Sequence, residues 1–397
     1  MGWPGQLTGA LGIRWPIIQG PFGGFRSEAL VAEVSNFGGL GSIGANAMQP
    51  DEITHSIANV RARTDKPFAV NLWVSTEDPG ASDVAAAASV TDSTARARRA
   101  LSPTFEEFGL PPPRLSAPVA PLAPIAASVV DNTTRALVAV GPRFAELGLP
   151  APRVPAYAPM SFAAQVRAVL DANVPVFSFI VGIPPRDILD ECRDRKILTI
   201  GTATTPDEAV ALAAAGVTAI VASGFEAGGH RGSFLAPAED SMLGTFSLVP
   251  QVVDVARGIP VIAAGGVADG RTVQAAFALG AAGVQIGTRL LACEGSGASL
   301  EHRTALRTGR FTPTVLSAGF TGRYARGLAN QLARDVQTAP YLPYPLQRSL
   351  IKELTTAAAH AHRADLAQQW SGQSAGVGLA SDSATAVLQS IIDFVTT

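Results

Sequence analysis

Eight short apolar runs that alternate with helix-like segments are the feature that most limits how this chain can fold. The runs are continuous rather than alternating, contain β-branched residues and are bounded by Gly or Pro, which is typical of parallel strands buried on both faces. Eight strand–helix units in sequence predict an α/β protein with a (β/α)8, or TIM, barrel, and a doubly wound parallel sheet is the competing interpretation. The runs occupy residues 16–21, 39–43, 68–73, 174–180, 197–201, 217–223, 259–264 and 283–287.

Two of the segments between the runs carry the signal of a helix end. Residues 207–215 read DEAVALAAA and residues 271–279 read RTVQAAFAL, and a glycine follows each of them, Gly216 and Gly280 respectively. Glycine is common just past the last helical turn because it adopts the left-handed conformation easily. We therefore predict a helix over each segment.

A duplicated insertion separates the third run from the fourth, at about residues 76–160. Residues 89–114 and 128–153 are offset by 39 residues and are identical at 15 of 26 positions without a gap. Each copy is predicted to form one helix that ends at a Gly-Leu-Pro sequence. Neither copy contains His or Cys, so we expect the insertion to contribute shape rather than chemistry.

The strand pattern is lost in the tail, and residues 346–370 are predicted to form a helix with an apolar face. We therefore predict a barrel over residues 1–290, including the insertion, and a mostly helical cap on the substrate side over residues 291–397. The apolar residues at helical spacing in the predicted helix are Leu350, Ile351, Leu354, Ala358 and Ala361.

Composition and charge exclude several classes of protein. The chain is 47% hydrophobic and 16% charged, so it is not a disordered protein. Its net charge of −2 provides no basic field for nucleic acid or an anionic membrane. The N-terminus lacks a secretory pattern, and no apolar stretch reaches the roughly 18 residues of a spanning helix. We expect a cytoplasmic protein with neither nucleic acid nor a membrane as a partner.

The two cysteines, Cys192 and Cys293, cannot supply a disulfide framework and lie in no paired metal-ligand spacing. We expect both to be small buried apolar residues, and we predict no metal site.

The loop after the sixth run carries the strongest candidate for chemistry. Residues 223–232 contain four glycines around His230, and glycines let the backbone approach a ligand closely. In a (β/α)8 barrel the active site forms at the carboxyl ends of the strands, which is where His230 is predicted to lie. Glu226 in the same loop either orients His230 or caps the loop, and the structural role is favoured. The other histidines lie in helix-like stretches and are expected to be ordinary: His55, His302, His360 and His362.

Two glycine turns follow the seventh and eighth runs, at Gly265–Gly266 and at residues 285–288. These loops form the usual phosphate site of such barrels, where backbone N–H groups hold the anion. No Gly-x-Gly-x-x-Gly follows the first run, and no Gly-x4-Gly-Lys-Ser/Thr occurs, which argues against a dinucleotide fold and an NTPase.

Asn71 is a polar residue inside the apolar third run. A buried amide without a partner costs about 1–3 kcal/mol. We therefore expect Asn71 either to contact a ligand or to bond the barrel backbone, and the ligand contact is favoured.

On these residues the chain resembles the FMN-dependent nitronate monooxygenases, formerly called 2-nitropropane dioxygenases, from about Trp15 to Leu379. The glycine–His loop at residues 224–232 is the most specific match. The other matching segments are residues 16–24, 265–266, 285–288, 322–330 and 370–376. The chain departs from the family at Phe22, where Met is frequent, and at Ser223, where Gln is common.

The resemblance implies FMN as the cofactor, His230 as the catalytic residue, and Phe22, His230 and Trp370 as substrate contacts. It implies that the cofactor-binding residues are Pro21, Phe22, Gly23, Asn71, Ser223, Gly228, Gly229, Gly265, Gly266, Gln285, Gly287 and Thr288.

The resemblance also implies a reaction: oxidation of alkyl nitronates, with nitroalkanes as a further substrate class, by O2 to carbonyl compounds and nitrite. Such an activity serves nitroalkane detoxification. His230 would hold the nitronate by a hydrogen bond, charge-assisted if the ring is protonated, and would be the base for a nitroalkane. Arg26 and Arg323 are weaker candidates for steering an acidic substrate.

Three functions stay open at the level of the sequence, and the nitronate monooxygenase is the first of them. FMN-dependent enoyl-acyl-carrier-protein reductases, which use NAD(P)H, are similar across the glycine–His loop, and the two C-terminal motifs favour the monooxygenases over them. A flavin-binding barrel without activity is the third interpretation.

The oligomeric state is also open, and we expect either a monomer or a homodimer.

Overall fold

Parallel strands arranged in a ring form the centre of the molecule in a computed structural model that describes residues 3–74, 125–154, 160–307, 313–377 and 383–397. The first predicted run is split into two short strands because Pro21 has no N–H to give to a ladder. The ring contains β1 (Ile17–Gln19), β2 (Phe22–Gly23), β3 (Gly41–Gly44), β4 (Phe68–Trp73), β5 (Val176–Ile180), β6 (Leu198–Ala203), β7 (Ala219–Ser223), β9 (Val261–Ala264) and β10 (Gly283–Ile286).

The ring follows chain order and closes on itself. β1 pairs in parallel with β10, with Ile17 opposite Val284, and β2 pairs in parallel with β3. A parallel bridge between Ile18 and Leu40 joins β1 to the segment before β3. The structure therefore confirms the (β/α)8 barrel and excludes the doubly wound sheet.

Helices cover the outside of the ring, and the eighth of them comes from the end of the chain. That last helix packs between the first and the seventh, so it belongs to the layer around the barrel. The helices are Glu28–Phe37, Pro50–Arg61, Phe162–Asp171, Arg186–Asp194, Pro206–Ala214, Thr245–Val255, Gly270–Ala278 and Ala384–Thr396.

Local signals for helix ends and for burial are confirmed where the structure describes them. Gly216 and Gly280 have φ angles of +76° and +93°, and they end the two helices predicted before them. Cys192 and Cys293 are both buried, and neither forms a disulfide.

The second copy of the duplication forms the helix Ile125–Glu146, which ends before Gly148. Its side chains Ala136, Val140 and Phe144 are buried in one cluster with residues of the tail. The helix and the Gly-Leu-Pro end are therefore confirmed for this copy, whereas the first copy, at residues 89–114, lies outside the described residues.

The tail contains a small antiparallel sheet that the sequence did not predict. β11 (Thr314–Ser317) pairs with β12 (Ala325–Leu328), which also pairs with β8 (Gly229–His230) from the glycine–His loop. These strands are too short to show an alternating pattern. The helices Leu300–Leu306, Gln331–Gln337 and Leu346–His360 supply the predicted helical part.

The helix predicted at residues 346–370 is ten residues shorter than expected. It ends at His360, and His362 has a left-handed φ of +54°, a conformation that stops a helix. Ala361 is therefore exposed rather than part of the apolar face. Trp370 lies beyond the helix, where it forms an antiparallel bridge with Gly327.

The boundary between barrel and cap at residue 290 stays a prediction. Part of residues 291–397 caps the barrel, whereas the terminal helix lies on its outer layer. Four shorter helices complete the described part of the chain: Gly5–Leu11, Thr288–Leu291 and the 3-10 turns Ala238–Asp240 and Ala364–Leu366. Of the helices in the described ranges, none combines the length and the apolar character needed to span a bilayer.

We expect Gly41→Ala to destabilise the barrel, because a Cβ at this position would lie 2.1 Å from the carbonyl oxygen of Val31. Overpacking of this kind costs about 1–3 kcal/mol or more, which thermal unfolding followed by circular dichroism would measure. Gly9→Ala is the matched control, since Gly9 is exposed in the helix Gly5–Leu11 and a Cβ there meets no neighbouring atom within 4 Å. It should raise stability by about 0.5–1 kcal/mol. Equal melting temperatures for the two variants would contradict the close approach of helix and strand.

Candidate active site

A cavity of about 630 Å³ opens at the carboxyl ends of the barrel strands, beneath the cap. Ligand pockets typically measure roughly 300–1,000 Å³. The structure brings every residue of the predicted site to its wall, although their roles in binding stay a prediction. These residues are Pro21, Phe22, Gly23, Asn71, Ser223, Gly228, Gly229, His230, Gly265, Gly266, Gln285, Gly287, Thr288 and Trp370.

His230 is held in place by both the barrel and the cap. It lies on β8, opposite Ala325 of the cap strand β12. Its ring makes an edge contact with Trp73 at the end of β4, with centroids 4.7 Å apart, and lies 5.1 Å from the ring of Trp370. The imidazole is thus fixed between two tryptophans and faces the cavity.

The hydroxyl of Thr321 determines which nitrogen of His230 carries the proton. Nε2 of His230 lies 2.9 Å from Oγ1 of Thr321, and this hydroxyl donates its single proton to the carbonyl oxygen of Arg323 at 3.1 Å. With the hydroxyl donating to this carbonyl, Nε2 donates to the hydroxyl, and Nδ1 keeps a free lone pair. Thr321 is 1% exposed, so water does not compete for this bond.

Burial, together with the smaller effect of the positive charges of Arg323 and Arg348, lowers the pKa of His230 to about 3. The ring is therefore neutral near pH 7. The hypothesis drawn from the sequence left the charge of His230 open, and burial in this site favours the neutral ring.

The two glycine turns line the other part of the cavity, and residues of the tail cover them. Gly265 and Gly266 have φ angles of +98° and +74°. The Ser374 hydroxyl donates to the carbonyl oxygen of Gly266 at 2.8 Å, and the N–H of Gly372 donates to the Thr288 hydroxyl at 2.7 Å. The segment after Trp370 thus connects the two turns that the sequence assigned to a phosphate.

Asn71 is 5% exposed and finds its partner on the neighbouring strand. Its Nδ2 donates to the Ser178 hydroxyl of β5 at 3.0 Å, whereas the sequence offered the barrel backbone as the partner. Both side chains also line the cavity, so a ligand contact by Asn71 stays compatible with this bond.

Glu226 and Arg231 fix the loop that carries His230. The carboxylate of Glu226 accepts the N–H and the hydroxyl of Thr245, both at 2.8 Å, and so satisfies the N-terminus of the helix Thr245–Val255. The favoured structural role of Glu226 is confirmed. Arg231 is 4% exposed and donates to the carbonyl oxygens of Ser223, Gly224 and Ser241.

His302 lies in the helix Leu300–Leu306, and its contacts are those of a structural histidine. It is 3% exposed, lines the cavity, and its Nε2 donates to the carbonyl oxygen of Trp370 at 2.9 Å. Burial lowers the pKa of His302, so this ring is neutral too. The contact between His302 and Trp370 could not be predicted, because the two residues are 68 positions apart in the sequence.

The cap supplies further wall residues that the sequence did not single out: Thr321, Tyr344, Arg348, Lys352 and Ser374. Arg323, which was considered for steering, holds its guanidinium 5.5 Å from the centre of the Tyr344 ring. Arg26 is exposed and lies in a separate surface depression with Arg63 and Arg303, so its position does not support a steering role.

We expect the Nε2–H form of His230 in the wild type and a mixture of the two neutral forms in Thr321→Val, because the variant loses the hydroxyl that accepts this proton. Nitrogen-15 NMR of the histidine side chains distinguishes the forms. The ring should stay neutral from pH 8 down to pH 5, since its pKa is about 3. Thr321→Ser keeps the hydroxyl and should reproduce the wild-type signals. Identical spectra for all three proteins would contradict the role of Thr321.

Comparison with known proteins agrees with this geometry. A family model described as nitronate monooxygenase matches residues 5–107 and 123–393. A Staphylococcus aureus protein described as probable nitronate monooxygenase is 37% identical over 373 residues, which cover 93% of this chain and 91% of that protein.

Solved structures are similar over the same extent. The nitroalkane oxidase from Streptomyces ansochromogenes matches with a TM-score of 0.78 at 30% identity, covering 98% of each chain. FabK from Thermotoga maritima matches with a TM-score of 0.68 at 25% identity, covering 100% of this chain and 97% of that one.

The gap in the family match, at residues 108–122, falls inside the duplicated insertion. The remainder of the match covers the barrel, the glycine–His loop and the cap, which together form the cavity. The chain therefore belongs to the nitronate monooxygenase family, a family of flavin-type oxidoreductases.

Proposed function

We propose that this protein is an FMN-dependent monooxygenase that oxidises alkyl nitronates with O2 to carbonyl compounds and nitrite. The observation that carries the proposal is the placement of a fixed, neutral His230 in the same cavity as two glycine turns that open toward a ligand. Family membership supplies the reaction class.

The residues present fit FMN at the glycine turns. A Cβ built at Gly287 or at Gly229 would meet no protein atom within 4 Å, so both positions leave space on the cavity wall rather than fill a packed contact. Gly265, Gly266, Gly287 and Thr288 would hold the phosphate, and Asn71, Ser223 and Gln285 would face the ring system. When bound, FMN supplies the redox chemistry, whereas the chain orients the reacting groups and provides the electrostatic field around them.

His230 is better suited to bind a nitronate than to make one. A neutral imidazole hydrogen-bonds to an anionic oxygen as a donor, through Nε2–H if the Thr321 contact is exchanged for the substrate. A catalytic base works best when its pKa is close to the working pH, whereas the pKa of His230 is about 3. We therefore propose nitronates, which have already lost the α-proton, as the preferred substrates over neutral nitroalkanes.

The two tryptophans exclude water from this part of the cavity. Trp73 and Trp370 both contact the ring of His230, and Phe320 packs on Trp370 at 5.6 Å between ring centres. Exclusion of water strengthens each hydrogen bond and charge interaction that the substrate makes.

We expect the FMN-loaded protein to consume O2 and release nitrite from propyl-2-nitronate without NAD(P)H, and His230→Asn to lower kcat/KM at least about tenfold through loss of a hydrogen bond to a charged group. His55→Asn is the matched control, because His55 is exposed and lies outside the cavity wall. An oxygen electrode measures the consumption of O2, and a nitrite assay measures the product.

The same assay separates the alternative reaction. Steady oxidation of NADPH without nitronate, and no nitrite with it, would favour an NAD(P)H-dependent reductase and overturn the proposal. A His230→Asn variant as active as the wild type with FMN bound would contradict the assignment of His230.

We expect Gly287→Val to weaken FMN binding at least about tenfold, because its side chain would occupy space on the cavity wall; a loss of this size corresponds to roughly 1.4 kcal/mol. Quenching of flavin fluorescence on titration measures the affinity. The melting temperature should change little, because the Cβ at this position meets no protein atom within 4 Å. Gly9→Val, on an exposed helix position away from the cavity, should bind FMN as the wild type does. Unchanged FMN affinity in Gly287→Val would show that the cofactor lies elsewhere.

A further inference from the structure

The charged residues of the cavity wall are unevenly distributed. Among the wall residues that the structure describes, Arg348 and Lys352 are cationic and Glu226 alone is acidic. The carboxylate of Glu226 is already occupied by the N–H and hydroxyl of Thr245. With His230 neutral, the positive charge available to a ligand therefore comes from Arg348 and Lys352.

The helix Leu346–His360 directs these two cations toward the cavity. Arg348 and Lys352 are four residues apart and thus lie on one face, and Thr355 and Ala359 continue that face along the wall. The opposite face is apolar and buried, and it packs in the cap. Its residues are Leu350, Ile351, Leu354 and Ala358.

The guanidinium of Arg348 is available for a ligand. It is half-buried, and none of the residues that the structure describes forms a hydrogen bond or salt bridge with it. The neighbouring arginines of the cap are engaged: Arg323 lies over Tyr344, and Arg326 donates to the carbonyl oxygen of Phe225 and to Thr314. Lys352 is exposed, so its ammonium lies at the rim of the cavity.

Arg348 also lies close enough to His230 to act on it through charge. Its positive charge, together with that of Arg323, lowers the pKa of His230. Both side chains also line the same cavity.

We propose that Arg348 is the residue that binds the negative charge of the substrate, and that Lys352 adds a second positive charge at the rim. A nitronate carries its charge on two oxygens attached to one planar nitrogen. The planar fork of a guanidinium donates two parallel N–H bonds to such a group. His230 then contributes direction through a neutral hydrogen bond, and Arg348 contributes charge. This assignment rests on the proposed function for the identity of the anion.

Anion binding can be tested apart from turnover with sodium nitrate, which is planar, singly charged and inert. Isothermal titration calorimetry at constant ionic strength on the FMN-loaded protein should show binding to the wild type. Arg348→Met should weaken it at least about tenfold, and Arg348→Lys should weaken it less, because the charge remains without the fork. Lys66→Met removes one positive charge from the exposed residues before β4 and should leave binding unchanged.

Steady-state kinetics with propyl-2-nitronate supplies the second measurement. Arg348→Met should raise KM at least about tenfold and change kcat little, because the interaction is made in the bound state as well as in the transition state. Circular dichroism would verify that the variants are folded, and Arg348→Lys provides a folded comparison that keeps the charge.

The outcomes separate the two proposals. Nitrate binding that depends on Arg348, without nitronate turnover in the wild type, would support the anion site and overturn the proposed function. Nitronate turnover with the same KM and the same nitrate affinity in Arg348→Met would overturn the role of Arg348. Absence of nitrate binding to the wild type would overturn it as well.

Discussion

The antiparallel pairing of β8 with β12 is the contact on which the arrangement of the site depends. β8 contains only Gly229 and His230, and it leaves the barrel to join a sheet built by the tail. The N–H of Arg231 continues this contact by donating to the carbonyl oxygen of Tyr324 at 2.9 Å. A short glycine-rich loop has little rigidity of its own, so the cap determines where the imidazole points. The same pairing brings Thr321 and Trp370 to His230.

The electrostatic properties of the site follow from this closure. Once the cap covers His230, burial favours the neutral ring, and two nearby guanidiniums act in the same direction. A site for an anion must then take its positive charge from another residue. The helix of the cap provides this, since Arg348 and Lys352 project from its cavity face while its other face packs in an apolar cluster. In the proposed site, the directed hydrogen bond thus comes from His230 on β8, whereas the positive charge comes from the helix of the cap.

Much of the barrel and part of the site could be predicted because their signals are local. A buried parallel strand is marked by a continuous apolar run, and a helix end in the left-handed conformation is marked by a glycine. Both signals lie within a few residues of the sequence. The active-site end of the barrel follows from strand direction alone, so Asn71, His230, Gly265 and Gly287 could be assigned to one cavity before the structure was known. Thr321, His302 and Arg348 could not, because each reaches the cavity through contacts between distant parts of the chain. The charge state of His230 was also open, since it depends on burial and on arginines far along the sequence.

The sequence by itself determined the eightfold strand–helix order, the glycine turns and the residue that carries the imidazole, because these depend on periodicity and on backbone freedom at single positions. Only the tertiary structure decided which ring nitrogen is protonated, that the ring is neutral, and that Arg348 lines the same cavity. Those properties depend on distances between atoms of the barrel and of the cap, which are set when β8 joins the sheet of the tail.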